Sequence, residues 1–189
     1  MRIARKEEFD TLFSIMEESF PSDERRDRAA QKALFDRQEY TVYVLPDDPH
    51  QAPRAFIAVW QFSDFAFVEH FAVDAAYRNR GLGAQMLNEL FSVLPGQICL
   101  EVEPPKTDFA RRRITFYQRN GFFLNEYPYV QPPYDARKKP LPLLLMTTGG
   151  TLCAQRFCQI RDTLLDVVYQ IPATGRAPFC PPLKGQNGE

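Results

Sequence analysis

The chain lacks the marks of several large protein classes. No run of about 18 apolar residues occurs among its 189, so no membrane-spanning helix is expected. Its 23 basic and 24 acidic side chains leave a net charge of −1, so no global field draws it to nucleic acid or anionic lipid. The four cysteines, Cys99, Cys153, Cys158 and Cys180, form no C-x-x-C pair, and His50 and His70 are the only histidines. Neither a metal site nor a disulfide framework is expected from that set. Met1 to Glu8 carry no apolar signal-peptide core, so the reading is cytoplasmic. What is present is an ordinary globular balance, 44% hydrophobic and 25% charged. The length suits one substantial domain with room for an appended element.

Apolar spacing sets out the elements. Phe9, Leu12, Phe13, Met16 and Phe20 recur at helical spacing up to Pro21. Ser22-Asp23-Glu24 offers a cap for a polar helix over about 25–38. Strands are expected over 40–45, 55–62 and 65–73, the first closed by a turn at Pro46–Pro49 and the last two forming a hairpin at Ser63-Asp64. A helix from about Ala84 carries Met86, Leu87, Leu90, Phe91 and Leu94 on one face. Ile98, Leu100 and Val102 alternate in a strand over 97–103. A helix over 111–120 ends at Gly121, where a left-handed cap belongs. Strands over 122–127 and 141–147 flank a Pro- and Tyr-rich loop, 128–140. Gly149-Gly150 precedes a last helix, 151–169, with Cys153, Phe157, Ile160, Leu164 and Val168 on one face. The tail from Ile171 is rich in Pro and Gly.

The most specific feature is Arg78-Asn79-Arg80-Gly81-Leu82-Gly83-Ala84, between an apolar strand and a helix. Two glycines one residue apart let the backbone turn sharply with its amides uncovered. A helix starting there aims unpaired N–H groups and its positive dipole end at one spot. Two arginines flank the turn, so it suits a phosphate or pyrophosphate. No Gly-Lys-Ser/Thr follows, which excludes a Walker loop. The third glycine of a dinucleotide fingerprint is missing, and antiparallel strands precede the turn.

Arg78-x-x-Gly81-x-Gly83-Ala84 resembles the R/Q-x-x-G-x-G/A signature of the GNAT superfamily of acetyl-CoA-dependent N-acetyltransferases. His70-Phe71-Ala72-Val73-Asp74 looks like the end of that family's fourth strand, and Leu100-Glu101-Val102 like its fifth. Phe116-Tyr117-x-x-x-Gly121-Phe122 is similar to its second motif. The resemblance covers residues 1 to about 147. It implies an α/β (α+β) fold with a mixed, mostly antiparallel central sheet flanked by helices, and splayed fourth and fifth strands. It implies an acetyltransferase domain over 1–148, with residues 149–189 packed on or extending from it. It also implies acetyl-CoA as cosubstrate, its pantetheine arm along Phe71, Ala72 and Val73 and its pyrophosphate on the amides from Arg80 through Gly81, Leu82 and Gly83 to Ala84. Arg78 and Arg80 would add charge there.

Transfer to an amine needs the amine neutral, the oxyanion stabilised and the departing thiolate protonated. By resemblance Tyr117 is the general acid and touches the cofactor. A carboxylate inside the apolar run 65–69 is costly unless paired or solvated, so Glu69 is the first candidate base and Glu101 the second. A structural ion pair at Glu69, or a water wire doing the base's work, competes with that role. His70 reads as packing or surface. The family's second motif usually has an asparagine seven residues before its tyrosine; here that position is Ala110. Arg111-Arg112-Arg113 beside it reads as a solvated helix start or a phosphate contact.

Acceptor pockets in the family draw on two regions, here Phe20–Arg26 and Tyr127–Tyr134. Asp23 and Glu24 suit a cationic amine, and prolines stiffen the tyrosines. The expected partner is a small-molecule or peptide amine. The helix from Thr151 is placed to cover the sheet or to join two copies as a homodimer. The alternative is a GNAT-like module that binds CoA or a partner without catalysis.

Overall fold

Six consecutive buried residues, Ala55 to Trp60, mark β3 (Ala55–Gln61) as the central strand of the N-terminal half. A strand apolar on both faces must have cover on both, which suits an α/β arrangement. The computed structural model describes residues 1–45 and 52–172. The turn expected at Pro46–Pro49, most of the tail, His50 and Cys180 lie outside the described residues. By contact the chain divides into two compact units, Met1–Leu100 and Glu101–Glu189.

In the first unit, β1 (Arg2–Ile3), β2 (Tyr40–Val44), β3 and β4 (Phe65–Val73) pair antiparallel in chain order. β5 (Gln97–Val102) then joins β4 in parallel, through Phe65↔Gln97 to Val68↔Leu100. α3 (Leu82–Val93) makes the crossover and buries Met86, Leu87 and Leu90. α1 (Phe9–Ser19) buries Phe9, Leu12, Phe13 and Met16, as their spacing predicts.

The polar helix expected over 25–38 is shorter. It is α2 (Arg28–Ala33), with 3-10 turns at Ser22–Glu24 and Leu34–Asp36. Asp27 explains the late start: its side chain accepts from the Ala30 N–H and caps the helix there.

The second unit holds α4 (Asp108–Arg119), β6 (Phe122–Gln131), β7 (Leu141–Thr148) and α5 (Ala154–Thr163). Thr107 caps α4 at Ala110 N, and Gly121 at φ +86° follows its end. β6 pairs antiparallel with β7 and runs four residues beyond the expected Tyr127. Its register jumps between Asn125↔Leu145 and Tyr129↔Leu143. Pro128, with no N–H to give a ladder, sits in that bulge, so the strand resumes beyond it.

The buried Asn125 ties β6 to the chain entering α5. Its Oδ1 accepts from Leu152 N at 2.7 Å and its Nδ2 donates to Thr147 Oγ1 at 3.0 Å. α5 buries Phe157 and Ile160, and a π-helical turn, Leu164–Val168, buries Leu164 and Val168. The expected apolar face is thus present, except that Cys153 is an exposed cap position. Cys158 is disulfide-bonded, which is no framework but is a bond that the cysteine spacing did not signal. The missing C-x-x-C spacing excluded only a local pair.

Candidate active site

The glycine turn is built from two left-handed residues. Asn79 has φ +62° and Gly81 has φ +80°, separated by Arg80. Asn tolerates this region best among side-chain-bearing residues, and Gly adopts it freely. α3 begins directly after Gly81 with no side-chain cap. The N–H groups of Leu82, Gly83 and Ala84 meet no acceptor among the described residues. The turn therefore presents several donors and the positive end of a 12-residue helix. Arg78 braces it: Nε donates to the Val73 carbonyl at 3.0 Å and Nη2 to Ser19 Oγ at 3.2 Å. The Arg80 guanidinium lies over the Tyr77 ring, 5.5 Å from its centroid.

β4 pairs with β5 only as far as Val68 but continues to Val73. That early end is the divergence of the fourth and fifth strands that the resemblance implied. Glu69 is the first residue past it. The register against β3 passes from Val59↔Val68 to Ala58↔His70, so Glu69 is the extra residue of a bulge.

The Glu69 side chain is 0% exposed. Its Oε1 lies 2.5 Å from Arg26 Nη1, and Oε2 accepts from Trp60 Nε1 at 3.0 Å. His70 Nδ1 is 3.8 Å from Oε2. The opposite ring nitrogen, Nε2, donates to the Glu24 carbonyl at 2.9 Å. Phe20 meets the imidazole edge-on at 4.9 Å. Burial pushes the Glu69 carboxyl up, but Arg26, His70 and the two donors outweigh it, so the net shift is downward. Burial also lowers His70 from 6.5, against the opposing pull of Glu69. At neutral pH the cluster is a carboxylate–guanidinium pair beside a neutral imidazole. It pins Phe20, Glu24 and Arg26, the first expected acceptor region, onto β3 and β4.

In the second unit Tyr117 is buried on α4, its ring edge-on to Phe116 and Phe122 at 5.3 and 5.6 Å. Burial pushes its phenol up to about 12, with Arg113 opposing. Its hydroxyl bonds no described residue. Glu101 is half-buried, and both its oxygens accept from the Tyr169 hydroxyl, at 3.0 and 2.8 Å. Glu103 pairs with Arg113 at 3.1 Å. Arg111 pairs with Asp108 at 2.6 Å and Arg112 is exposed, a solvated helix start as weighed from the sequence. Ala110, where the family's asparagine stands, is buried and capped by Thr107.

Tyr127 and Tyr134 of the expected acceptor wall are engaged inside this unit, Tyr127 against Phe157 at 4.7 Å and Tyr134 against Tyr169 at 5.4 Å. A cavity of about 700 Å³ opens along β6, lined by Gln118, Phe122, Phe123, Tyr127 and Leu152. Of the residues expected from the sequence it takes in only Tyr127.

A family model for the acetyltransferase (GNAT) domain matches residues 38–123. A solved chain from Bacteroides thetaiotaomicron, assigned to the GNAT family of acetyltransferases, is 36% identical. The match covers 91% of this chain and 100% of that one, with a TM-score of 0.83. The chain belongs to the GNAT family. It is an acyltransferase with the mixed α/β GNAT fold, with seven strands among the described residues, in mostly antiparallel pairings and flanked by helices. More distant GNAT structures share the fold. A chimera built on the spermidine N-acetyltransferase of Vibrio cholerae is 12% identical, covers 78% of this chain and 94% of its own, and has a TM-score of 0.59. A ribosomal-protein-alanine N-acetyltransferase from Brucella melitensis is 16% identical, with 78% and 97% covered and a TM-score of 0.58.

The GNAT motifs pointed to Gly81, Gly83 and Tyr117, but not to Trp60, Arg26 or Tyr169 as partners of the two glutamates. Glu69 in an apolar strand did signal the need for a buried partner, and the single Trp on the neighbouring strand was one donor able to supply it.

Proposed function

We propose that this GNAT enzyme transfers the acetyl group of acetyl-CoA directly to a primary amine. The observation that carries the reading is the turn at Asn79–Ala84, whose uncovered amides open a helix at the position of the family signature. The family normally uses acetyl-CoA, and that donor set fits its pyrophosphate. Phe71, Ala72 and Val73 lie where β4 has run past its β5 partner, which fits backbone contact to a pantetheine arm. Arg78 braces the turn, while Arg80 adds positive charge at its rim.

The chemistry falls to two side chains. Glu101 takes the proton from the incoming ammonium, directly or through one water. The neutral nitrogen attacks the thioester carbon, and the carbon–sulfur bond breaks with its electron pair on sulfur. Tyr117 gives its hydroxyl proton to that thiolate and recovers one from solvent. Glu69 is assigned a different task. Fully enclosed and neutralised by Arg26, it holds the Phe20–Arg26 segment rather than touching substrate.

The acceptor is read as a cationic primary amine of a small molecule or a peptide. Asp23 and Glu24 support this at the segment that Glu69 pins. The test supplies acetyl-CoA with a panel of polyamines, amino acids and peptides, and follows free thiol. Release well above hydrolysis with at least one amine is expected; hydrolysis alone with every amine defeats the reading.

The turn gives its own prediction. A Cβ at Gly81 would meet nothing within 4 Å, so Gly81→Ala is strained only through its φ of +80°. A loss of about 1–2 kcal/mol in stability is expected. CoA should bind more weakly by calorimetry as the amides turn away. Unchanged CoA affinity would take the pyrophosphate off this turn.

A further inference from the structure

We propose that Tyr169, in the C-terminal segment beyond the matched family domain, is a positioning residue that orients Glu101 for proton removal from the acceptor amine. The inference rests on the reading of Glu101 as the base. Its geometry is a single phenol held between both oxygens of one carboxylate, at 3.0 and 2.8 Å. One O–H shared between both oxygens favours the rotation in which the carboxylate faces the phenol, and a hydrogen bond to a charged acceptor is among the stronger kind.

The backbone is arranged to place that phenol. α5 does not simply continue; it passes into the π-helical turn Leu164–Val168, where Tyr169 N donates to Leu164 O at 3.0 Å and Ile171 N to Leu165 O at 2.8 Å. A π turn inserts extra chain into a helix and changes which way the following side chains face, and such turns recur at functional sites. Gln170, immediately after, is a non-glycine residue at φ +56°, a conformation that persists only when its surroundings impose it. Leu164 and Val168 anchor the turn in the interior at 0% and 3% exposure. Tyr134 packs against the Tyr169 ring, centroids 5.4 Å apart. Two irregular backbone features and one aromatic contact thus converge on a side chain whose hydroxyl meets Glu101.

A merely structural Tyr169 would stabilise the segment without affecting the rate through Glu101. A double-mutant cycle separates the two roles. Tyr169→Phe keeps the ring against Tyr134 and removes only the hydroxyl, so the full-length variant is expected to fold, with a Tm lowered by only a few degrees. Its kcat should fall about tenfold, the size expected for one hydrogen bond to a charged group, while KM for acetyl-CoA stays unchanged. Glu101→Gln should lose about a hundredfold or more in kcat. The double variant should be no slower than Glu101→Gln alone, because Tyr169 acts only through that carboxylate.

Losses that multiply, or a Tyr169→Phe variant with wild-type kcat while Glu101→Gln is slow, overturn the inference and leave the base assignment standing. Full activity in Glu101→Gln overturns the base assignment itself, and the inference with it. Should Tyr169→Phe fail to fold, Tyr134→Leu serves in its place. It leaves the phenol present but unsupported, and must lower kcat without adding to the loss in Glu101→Gln.

Discussion

Replacing Tyr117 with Phe is expected to lower kcat by about 10²-fold or more, the usual range for a lost general acid, and to leave the dissociation constant for acetyl-CoA unchanged. The substitution removes one oxygen from a residue whose ring is held by Phe116 and Phe122, so packing survives. A phenol pushed up to about 12 by burial is fully protonated at neutral pH and holds a proton ready for every turnover. Its titration sets no alkaline limb on the rate below about pH 11. A phenol near 12 is a poor donor to a thiolate in water, where thiols have a pKa of about 8.5. In an enclosed site the same desolvation that raises the phenol also raises the departing thiol, which narrows the gap. The defect in Tyr117→Phe should therefore shrink when the acetyl donor carries a more acidic thiol, since a better leaving group needs less help. Steady-state kinetics with a short series of acetyl thioesters checks this. An equal fall in kcat and in donor affinity would make Tyr117 a binding residue.

The helices and strands that carry the GNAT motifs were legible because each rests on local chemistry. The spacing of Phe9 to Met16, the alternation of Ile98 to Val102 and the glycine at 121 all act over one or two turns of chain. The departures come from interactions that close over longer distances. Asp27 caps α2 and shortens a helix whose composition favoured a longer one. Pro128 reads as a strand breaker, yet a bulge lets β6 resume its ladder with β7 at the next residue, Tyr129. Glu69 could be recognised as needing a partner. That Arg26, 43 residues away, supplies it is a tertiary fact that no periodicity encodes. Tyr169 is the clearest case. It lies 68 residues from Glu101 and reaches it through a π turn, which breaks the 3.6-residue spacing used to assign helix faces.

Removing the Glu69 carboxylate is the largest stability change expected. Glu69→Ala strands the Arg26 guanidinium, 10% exposed, without its counter-charge and leaves the Trp60 N–H without its acceptor. Breaking one side of such a buried pair costs about 3–5 kcal/mol, which in a chain of this size lowers Tm by roughly 10 °C. The pH dependence follows from the downward shift. A carboxyl held below its ordinary 4.5 in the folded chain stabilises the fold above 4.5. That contribution is lost as the pH falls through the lowered folded value. His70, also shifted down, adds a second loss that begins below 6.5, because the unfolded chain takes up that proton first. Denaturant midpoints across the acid range should show both losses in the wild type. In Glu69→Gln the loss below 4.5 should be smaller, limited to what other lowered carboxyls such as Glu8 and Glu89 contribute, and the one below 6.5 retained. The decisive comparison is the double variant Glu69→Leu with Arg26→Met. An apolar pair of similar volume often matches or exceeds the stability of the ion pair it replaces, so the double variant should recover most of the lost Tm. If Glu69 only pins the Phe20–Arg26 segment, acetyl transfer should recover with it. Recovery of Tm without recovery of kcat would instead return Glu69 to the reaction as the group that accepts the amine's proton.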